Sequence, residues 1–207
     1  MGKAVYRASQ SFLRCLFRLM GGLETEDAGK MPPSGSLIVA SNHASFWDPM
    51  ILGAAFDRPL HFMARKTLFD VPLFNWLIRQ NNAFPLDREG DSREALRVFG
   101  EKLDAGQAVV MFPEGTRSRD GFLGTVRPGV GMLAFRNSTP VLPVYIWGGY
   151  QSWPRGRLFP RPHRMRVVAG DVILPLSGGE GRKDGQRRIV AELDSQLREL
   201  EKRAWRR

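Results

Sequence analysis

The sequence predicts an α/β protein, with a single domain built on a mainly parallel central sheet flanked by helices and preceded by an amphipathic N-terminal helix. Three observations support this prediction. From residue 36 onward, short apolar runs of strand length alternate with segments of helical periodicity. Such alternation is typical of parallel sheets, because parallel strands are joined by crossover helices. A chain of 207 residues, 43% of them hydrophobic, suits one domain with a core of its own.

The first 23 residues are predicted to form one amphipathic helix, which Gly21 and Gly22 would end. At about 100° per residue, its basic side chains share a narrow arc: Lys3, Arg7, Arg14 and Arg18. Its apolar side chains fall on the opposite side: Val5, Phe12, Leu13, Leu16, Phe17, Leu19, Met20 and Leu23. This pattern is typical of a helix lying in a membrane interface. The alternative is a surface helix packed on its own core with a solvated basic face.

The remaining elements follow a polar link from Glu24 to Gly35. The predicted strands are Leu37–Ser41, Leu60–Ala64, Asn82–Leu86, Ala108–Phe112, Pro140–Trp147 and Met165–Ile173. Pro85 marks the third of them as an edge strand, because proline cannot donate to the ladder. The predicted helical segments are Trp47–Phe56, Lys66–Phe69, Pro72–Gln80, Asp91–Ala105, Pro128–Arg136 and Gln186–Ala204. The chain thus divides into a membrane-surface helix at 1–23 and a main domain at 36–207.

The charge is concentrated toward the ends of the chain. The net charge is +10, from 31 basic and 21 acidic residues, and residues 150–207 hold 14 basic and seven acidic ones. An irregular basic loop is predicted at 153–166, where proline and arginine are frequent. Basic surfaces suit anionic lipid or nucleic acid. The sequence has no aromatic-basic RNA signature and no helix-turn-helix pattern, so nucleic acid is not expected. No apolar run approaches the roughly 18–20 residues that span a bilayer.

A candidate catalytic pair follows the first predicted strand of the main domain. His43 lies just past that strand, where sites in α/β proteins gather, and Asp48 follows five residues later at a predicted helix start. A carboxylate that accepts from one imidazole nitrogen fixes the tautomer and leaves the other nitrogen as a general base. Asn42 and Ser45 are expected to pin the loop. Alternatively, Asp48 only caps the helix and His43 is a polar loop residue.

Two further strand ends carry arginine. Residues 112–118 follow a buried strand, and Glu114, Thr116 and Arg117 are expected to project from a turn shaped by Pro113 and Gly115. Arginine suits bidentate binding of phosphate or carboxylate. Another arginine, Arg88, follows the edge strand. The alternative is that each arginine simply pairs with a surface carboxylate.

Several catalytic devices are absent from the sequence. It has no G-x-S-x-G elbow, phosphate-binding loop or dinucleotide fingerprint, and no histidine pair or Cys/His set with metal-ligand spacing. Cys15 is the only cysteine, which excludes an intrachain disulfide. We therefore expect neither a metal nor a cofactor, and chemistry that depends on a base and bound anions.

Taken together, these segments resemble the glycerolipid (lysophospholipid) acyltransferase family. The family's first motif, N-H-x-S-x-x-D, is matched at Asn42, His43, Ser45 and Asp48. Its F-P-E-G-T-R-S motif is matched in full over 112–118, and a short apolar strand ending in arginine is matched over 84–88. A basic pair usually precedes a glycine of the family, and only Arg127 of that pair is kept here, before Pro128 and Gly129.

The resemblance implies an acyltransferase domain over 36–207 and a mechanism. His43 would be the general base on the free hydroxyl of a lysophospholipid, most simply 1-acyl-glycerol-3-phosphate, and Asp48 would orient it. The acyl donor would be a thioester of coenzyme A or of acyl carrier protein, used as a co-substrate. Arg88 and Arg117 would bind the acceptor phosphate. The acceptor site would also include Glu114, Gly115 and Thr116.

The N-terminal helix would bring this body to its acceptor, on the cytoplasmic face of an anionic membrane and as a peripheral protein. Its expected lipid contacts are Arg7, Phe12, Arg14, Phe17 and Arg18. Three alternatives stay open at this point: another lysolipid acceptor, a thioesterase in which His43 activates water, and a non-catalytic basic module that binds lipid.

Overall fold

The computed structural model describes residues 2–86, 92–175 and 181–206. Its strands are β1 (Leu23–Glu26), β2 (Leu37–Ser41), β3 (Leu60–Arg65), β4 (Ala83–Leu86), β5 (Ala108–Met111), β6 (Val141–Trp147) and β7 (Met165–Ala169). Its α-helices are α1 (Gly2–Leu19), α2 (Asp48–Ala55), α3 (Pro72–Gln80), α4 (Ser92–Asp104), α5 (Gly129–Arg136), α6 (Gly149–Ser152) and α7 (Arg182–Trp205). Short 3-10 turns span Ala28–Lys30 and Lys66–Phe69.

The strands form one seven-stranded sheet in the order β1-β7-β6-β2-β5-β3-β4. Strands β6, β2, β5, β3 and β4 are mutually parallel, and β7 pairs with β6 in the antiparallel sense. The predicted α/β class with a mainly parallel sheet is confirmed, and β4 lies at an edge as its proline indicated. The carboxyl ends of β2, β5, β3, β4 and β6 consequently meet at one end of the sheet, called the site end below.

Both faces of the sheet are covered, because its central strands are apolar on both sides. In β2, Ile38 and Ala40 belong to a core shared with α4, α5 and α7. Leu37 and Val39 belong to a second core, shared with α1 and α2. The result is a three-layer arrangement in which the ends of the central strands, rather than their faces, remain available for chemistry.

The N-terminal region departs most from prediction. The helix ends at Leu19 rather than at residue 23, since Gly21 and Gly22 take positive φ angles of 117° and 101°. The chain then forms β1, which pairs in parallel with β7, inside the stretch that was expected to be a polar link. A four-residue polar edge strand carries too few apolar residues to be seen in the sequence.

Helix α1 is fixed to the body by specific hydrogen bonds. The buried amide of Gln10 donates to the carbonyl oxygens of Gly53 (2.9 Å) and Phe56 (2.7 Å), which lie at the end of α2. The N–H of Leu60 donates to the hydroxyl of Tyr6 (3.2 Å). These bonds satisfy carbonyls that a helix terminus leaves without partners, and they set which side of α1 faces inward.

The expected lipid contacts of α1 are only partly compatible with this packing. Phe17 is 0% exposed and packs edge-on against Trp47, so its assignment as a membrane contact is wrong. Its burial covers the apolar face of the sheet that α1 lies on, which stabilises the fold more than exposure to headgroups would. Arg7, Phe12, Arg14 and Arg18 lie on the exposed side. Within the described ranges, no helix is both long and apolar enough to cross a bilayer.

Candidate active site

His43 and Asp48 meet at the site end of β2. The strand ends at Ser41, a six-residue loop follows, and Asp48 is the first residue of α2. With the carboxylate ionised, Nδ1–H of His43 donates to Oδ2 of Asp48 across 2.7 Å. The N-cap of α2 is Trp47 and not Asp48, so the alternative that Asp48 only caps the helix is wrong. Its carboxylate instead turns back over the loop that carries the histidine.

The Asp48 carboxylate is rigidly held and almost wholly inside the protein, with 1% exposure. Oδ2 also accepts the N–H groups of Ala44 and Ser45, both at 2.7 Å. On the other side, a Cβ added to Gly149 would lie 2.9 Å from Oδ1, closer than packing allows. Three donors on one oxygen and a glycine against the other leave the carboxylate one position, which favours a single orientation of the imidazole.

The loop between Ser41 and Asp48 is pinned as the sequence suggested. Asn42 donates from Nδ2 to the carbonyl of Ile146 (2.9 Å), and its Oδ1 accepts the N–H of the same residue (2.7 Å), which extends the ladder between β2 and β6. The hydroxyl of Ser45 donates to the carbonyl of Trp153 (2.9 Å). The loop that carries His43 is thereby tied to the end of β6 and to the chain beyond α6.

Glu114 connects the F-P-E-G-T-R-S motif to the loop that carries His43. Its Oε1 accepts the N–H of His43 (2.8 Å) and its Oε2 that of Gly124 (3.0 Å). Burial raises the pKa of the Glu114 carboxyl, and the two N–H groups partly oppose that shift. The side chain is only 6% exposed, so it shapes the site by holding two loops together. A second link runs from the N–H of Ser118 to the carbonyl of His43 (2.7 Å).

Arg117, the arginine of the F-P-E-G-T-R-S motif, lies against an aromatic ring. The Cζ of Arg117 is 3.6 Å from the centroid of Phe46, a cation–π geometry, and the side chain is buried. Gly115 and Thr116 are exposed on the turn itself. Arg88 lies outside the described residues, so its predicted role stays a prediction.

Two neighbours of the site were not singled out for it by the sequence. Phe112 stacks on the imidazole of His43, with ring centroids 4.0 Å apart. The guanidinium of Arg127 lies over Gly115, where an added Cβ would come within 3.2–3.3 Å of it. The basic residue before Pro128 and Gly129 was the available signal for Arg127; Phe112 had none beyond its place in the motif.

This arrangement suits a general base beside a cationic turn. Nδ1 of His43 is engaged, so Nε2 is the nitrogen available to a substrate, and 19% of the side chain is exposed. Asp48 holds the ring of His43 through Nδ1, and Glu114 holds its backbone N–H. Within the described part of the chain, no group of three or more His, Cys, Asp or Glu residues is placed to hold a metal ion.

The comparisons with known proteins show the family of the chain. The family model described as Acyltransferase matches residues 22–147. The chain therefore belongs to the acyltransferase family, and it is an acyltransferase by class.

Its relatives are consistent in name. The "1-acyl-sn-glycerol-3-phosphate acyltransferase" of Bacillus subtilis is 24% identical over 170 residues, covering 82% of each chain. The protein of the same name from Pseudomonas aeruginosa is 31% identical over 183 residues, covering 86% of this chain and 68% of the relative. The crystal structure titled as the 1-acyl-sn-glycerophosphate (LPA) acyltransferase, PlsC, from Thermotoga maritima superposes with a TM-score of 0.84. It is 30% identical and covers 100% of this chain and 82% of that one.

Proposed function

We propose that this chain transfers a fatty acyl group from an acyl thioester to the free hydroxyl of 1-acyl-glycerol-3-phosphate, giving phosphatidic acid for phospholipid biosynthesis. The donor is acyl-CoA or acyl carrier protein. The observation that carries the proposal is the hydrogen bond from His43 to a buried, fully positioned Asp48. The names of the relatives support the choice of acceptor.

The chemistry needs no covalent enzyme intermediate. Nε2 of His43 takes the proton of the acceptor hydroxyl as its oxygen attacks the thioester carbonyl. Asp48 stabilises the imidazolium that forms. When the tetrahedral intermediate collapses, the carbon–sulfur bond breaks, and the imidazolium returns its proton to the departing thiolate. The products are an ester and a free thiol, and the histidine is restored without a metal or a cofactor.

The acceptor phosphate is expected on the cationic turn beside this base. Arg117 supplies a positive charge under Phe46, and Gly115 with Thr116 form the exposed part of the turn. Arg127 adds a second cation directly over Gly115. Arg88, which follows β4 in the sequence, is proposed to bind the same phosphate. Glu114 contributes by fixing the turn rather than by direct contact, because both of its oxygens already accept backbone N–H groups.

The acceptor carries an acyl chain, so the reaction belongs at a lipid surface. We assign the enzyme to the cytoplasmic face of the membrane as a peripheral protein. Arg7, Phe12, Arg14 and Arg18 are the side chains of α1 that point outward for such a contact. Anionic lipid would favour the positive charge of the three arginines, at about 1 kcal/mol for each arginine near the surface.

The test is an acyl-transfer assay with the purified chain, both donor types and a panel of lysolipid acceptors, with the products identified by mass spectrometry. We expect phosphatidic acid from 1-acyl-glycerol-3-phosphate. His43→Ala should abolish transfer, and Asp48→Asn should slow it by about 10²–10⁴-fold because the base loses its orienting charge.

The matched control is His61→Gln, which changes a histidine of β3 whose Nδ1 contacts the carbonyl of Ala108. It should transfer at the normal rate. Release of free fatty acid without transfer would indicate a thioesterase, and lipid binding without turnover a non-catalytic module. Near-normal turnover in folded His43→Ala would remove the dyad from the mechanism.

A further inference from the structure

An exposed apolar pair stands out on the loop between α6 and β7. This 153–164 loop projects Leu158 and Phe159 from its tip, where they are 77% and 71% exposed. Two large adjacent side chains left in water cost free energy that burial elsewhere would recover. An apolar pair of this kind indicates a surface that is covered when the protein functions.

The charged side chains of the 153–164 loop itself are all arginines. Arg155 and Arg161 are exposed on either side of the tip, and no acidic residue occurs between positions 153 and 170. Arg157 is half-buried, and Arg164 pairs with Glu24 of β1. Apolar side chains flanked by unopposed arginines are complementary to an anionic lipid surface, with apolar atoms below the headgroups and guanidinium groups among them.

The loop is held in this shape by its own hydrogen bonds. Arg157 donates to the carbonyl of Gln151 (3.1 Å), and the indole N–H of Trp153 donates to the carbonyl of Arg157 (3.1 Å). Ser152 and Arg161 exchange two bonds: the hydroxyl of Ser152 donates to the carbonyl of Arg161 (2.6 Å), and the N–H of Arg161 donates to that of Ser152 (2.9 Å). The base of the loop is therefore closed, and the tip is held outward.

The same loop is bonded to the catalytic loop. The carbonyl of Trp153 accepts both the hydroxyl of Ser45 (2.9 Å) and the N–H of Phe46 (3.2 Å). The rings of Phe46 and Trp153 are in contact, with centroids 5.2 Å apart. The loop leaves the sheet at the site end, since it follows β6 and leads into β7. A lipid surface touched by Leu158 and Phe159 would lie at the same end of the sheet as His43.

We propose that the 153–164 loop inserts Leu158 and Phe159 into an anionic lipid layer, with Arg155 and Arg161 at the headgroups, and so brings the active site to its membrane-borne acceptor. This inference rests on the proposed function for its purpose, but the surface itself is tested without turnover. A protein partner would need acidic groups opposite the arginines and is one outcome of the test.

The experiment compares vesicles of phosphatidylcholine alone with vesicles that also contain phosphatidylglycerol, using co-sedimentation of the full chain. The apolar variant is Leu158→Ser/Phe159→Ser. Its control is Leu174→Ser, which alters another exposed leucine (64%) at the opposite end of the sheet. The charge variant is Arg155→Gln/Arg161→Gln, and its control is Arg136→Gln at the exposed end of α5.

We expect the apolar variant to bind anionic vesicles at least about tenfold more weakly. The charge variant should lose about fivefold for each arginine, on anionic vesicles only. Both controls should bind as the unaltered chain does. Equal binding by the apolar variant and the unaltered chain overturns the proposal, as does an equal loss in Leu174→Ser. The proposal is also overturned if both variants bind vesicles normally but no longer bind an acidic protein such as the acyl carrier protein.

A second readout separates this proposal from the proposed function. Transfer to an acceptor dispersed in detergent should survive in the apolar variant, while transfer to the same acceptor in anionic vesicles should fall in parallel with binding. Loss in detergent as well would show that the loop belongs to the catalytic machinery, and would overturn its role as a lipid contact. Vesicle binding that depends on the loop, in a chain that transfers nothing, would contradict only the proposed function.

Discussion

Helix α1 and the 153–164 loop both combine arginine with large apolar side chains, yet they direct them differently. In α1, Phe17 of the apolar stripe turns inward and is fully buried against Trp47, while Phe12 and Leu19 of the same stripe stay exposed. In the loop the apolar pair turns outward. The difference lies in what each element can reach. Helix α1 lies over the sheet face that carries Leu37 and Val39, which must be covered, whereas the loop lies past the strand ends with nothing to cover.

The lesson is that an amphipathic stripe states that a face will be buried but not what will bury it. Burial in a membrane and burial in a protein core both remove an apolar side chain from water and are favourable for the same reason. For α1 the buried amide of Gln10 resolves the choice, because it satisfies two carbonyls at the end of α2. Such a bond is available only in the packed position.

The largest expected effect comes from altering the buried and the exposed face of α1 separately. Phe17→Ala should lower the free energy of unfolding by about 3–5 kcal/mol, because it removes a fully buried ring and leaves a cavity. Phe12→Ala, on the exposed face of the same helix, should change it by less than about 0.5 kcal/mol. Urea denaturation of both variants measures the difference. A small effect for Phe17→Ala would mean that α1 leaves the body readily and is free to lie in a membrane.

Relative depth in lipid is the next test. An environment-sensitive dye on Cys15 reports from the exposed face of α1, and the same dye on Phe159→Cys in a Cys15→Ser background reports from the loop tip. With anionic vesicles, we expect a large blue shift at position 159 and a smaller one at position 15. The reverse order would give α1 the deeper contact and restore the interpretation drawn from its sequence pattern.

A smaller effect distinguishes the arginines of α1 from each other. Arg14 donates to the carbonyl of Ala54 (2.8 Å) and to Oδ1 of Asp57 (2.7 Å), so part of its charge is already opposed. Arg7→Gln or Arg18→Gln should each weaken binding to anionic vesicles by up to about fivefold, and Arg14→Gln by less. Co-sedimentation at rising salt checks this, because screening should shrink all three losses. Three equal losses would contradict the ranking.

The smallest expected effect is the pH dependence of the ion pairs that Arg203 makes with Glu26 and Asp27, at the end of β1. Hydrogen bonds from Arg203 lower the pKa of Glu26 and of Asp27 below their ordinary values of 4.5 and 3.8. Their contribution to stability is therefore complete above those values and is lost as the pH falls below them, through the lowered pKa values. Unfolding in urea should show that Arg203→Gln costs stability at neutral pH and costs less in acid. A cost that does not change with pH would exclude this pairing as its cause.

The sequence predicted elements whose pattern is local and failed where the cause is distant. Strand β2 and helix α3 were predicted residue for residue, because an unbroken apolar run and a proline start are local signals. Strand β1 was missed, since it is polar and is held by Arg166 and Arg203 from far along the chain.

The same division applies to the active site. The pairing of His43 with Asp48 was foreseen because both residues lie on one short loop. The burial of Arg117 under Phe46 was not, because it depends on how two separate loops meet. The contact of Gly149 with the Asp48 carboxylate likewise arises only when the end of β6 reaches the loop after β2.

The single reversal of direction in the sheet, between β6 and β7, decides at which end of the sheet the 153–164 loop lies. Had β7 run parallel to β6, the chain would have needed a crossover to the far end of the sheet before beginning it. Because β7 is antiparallel, the connection turns back where β6 stops, and its twelve-residue excursion at 153–164 stays at the end where His43 lies. In the membrane contact that we propose, this one change of strand direction places His43 and the apolar tip of the loop at the same end of the sheet.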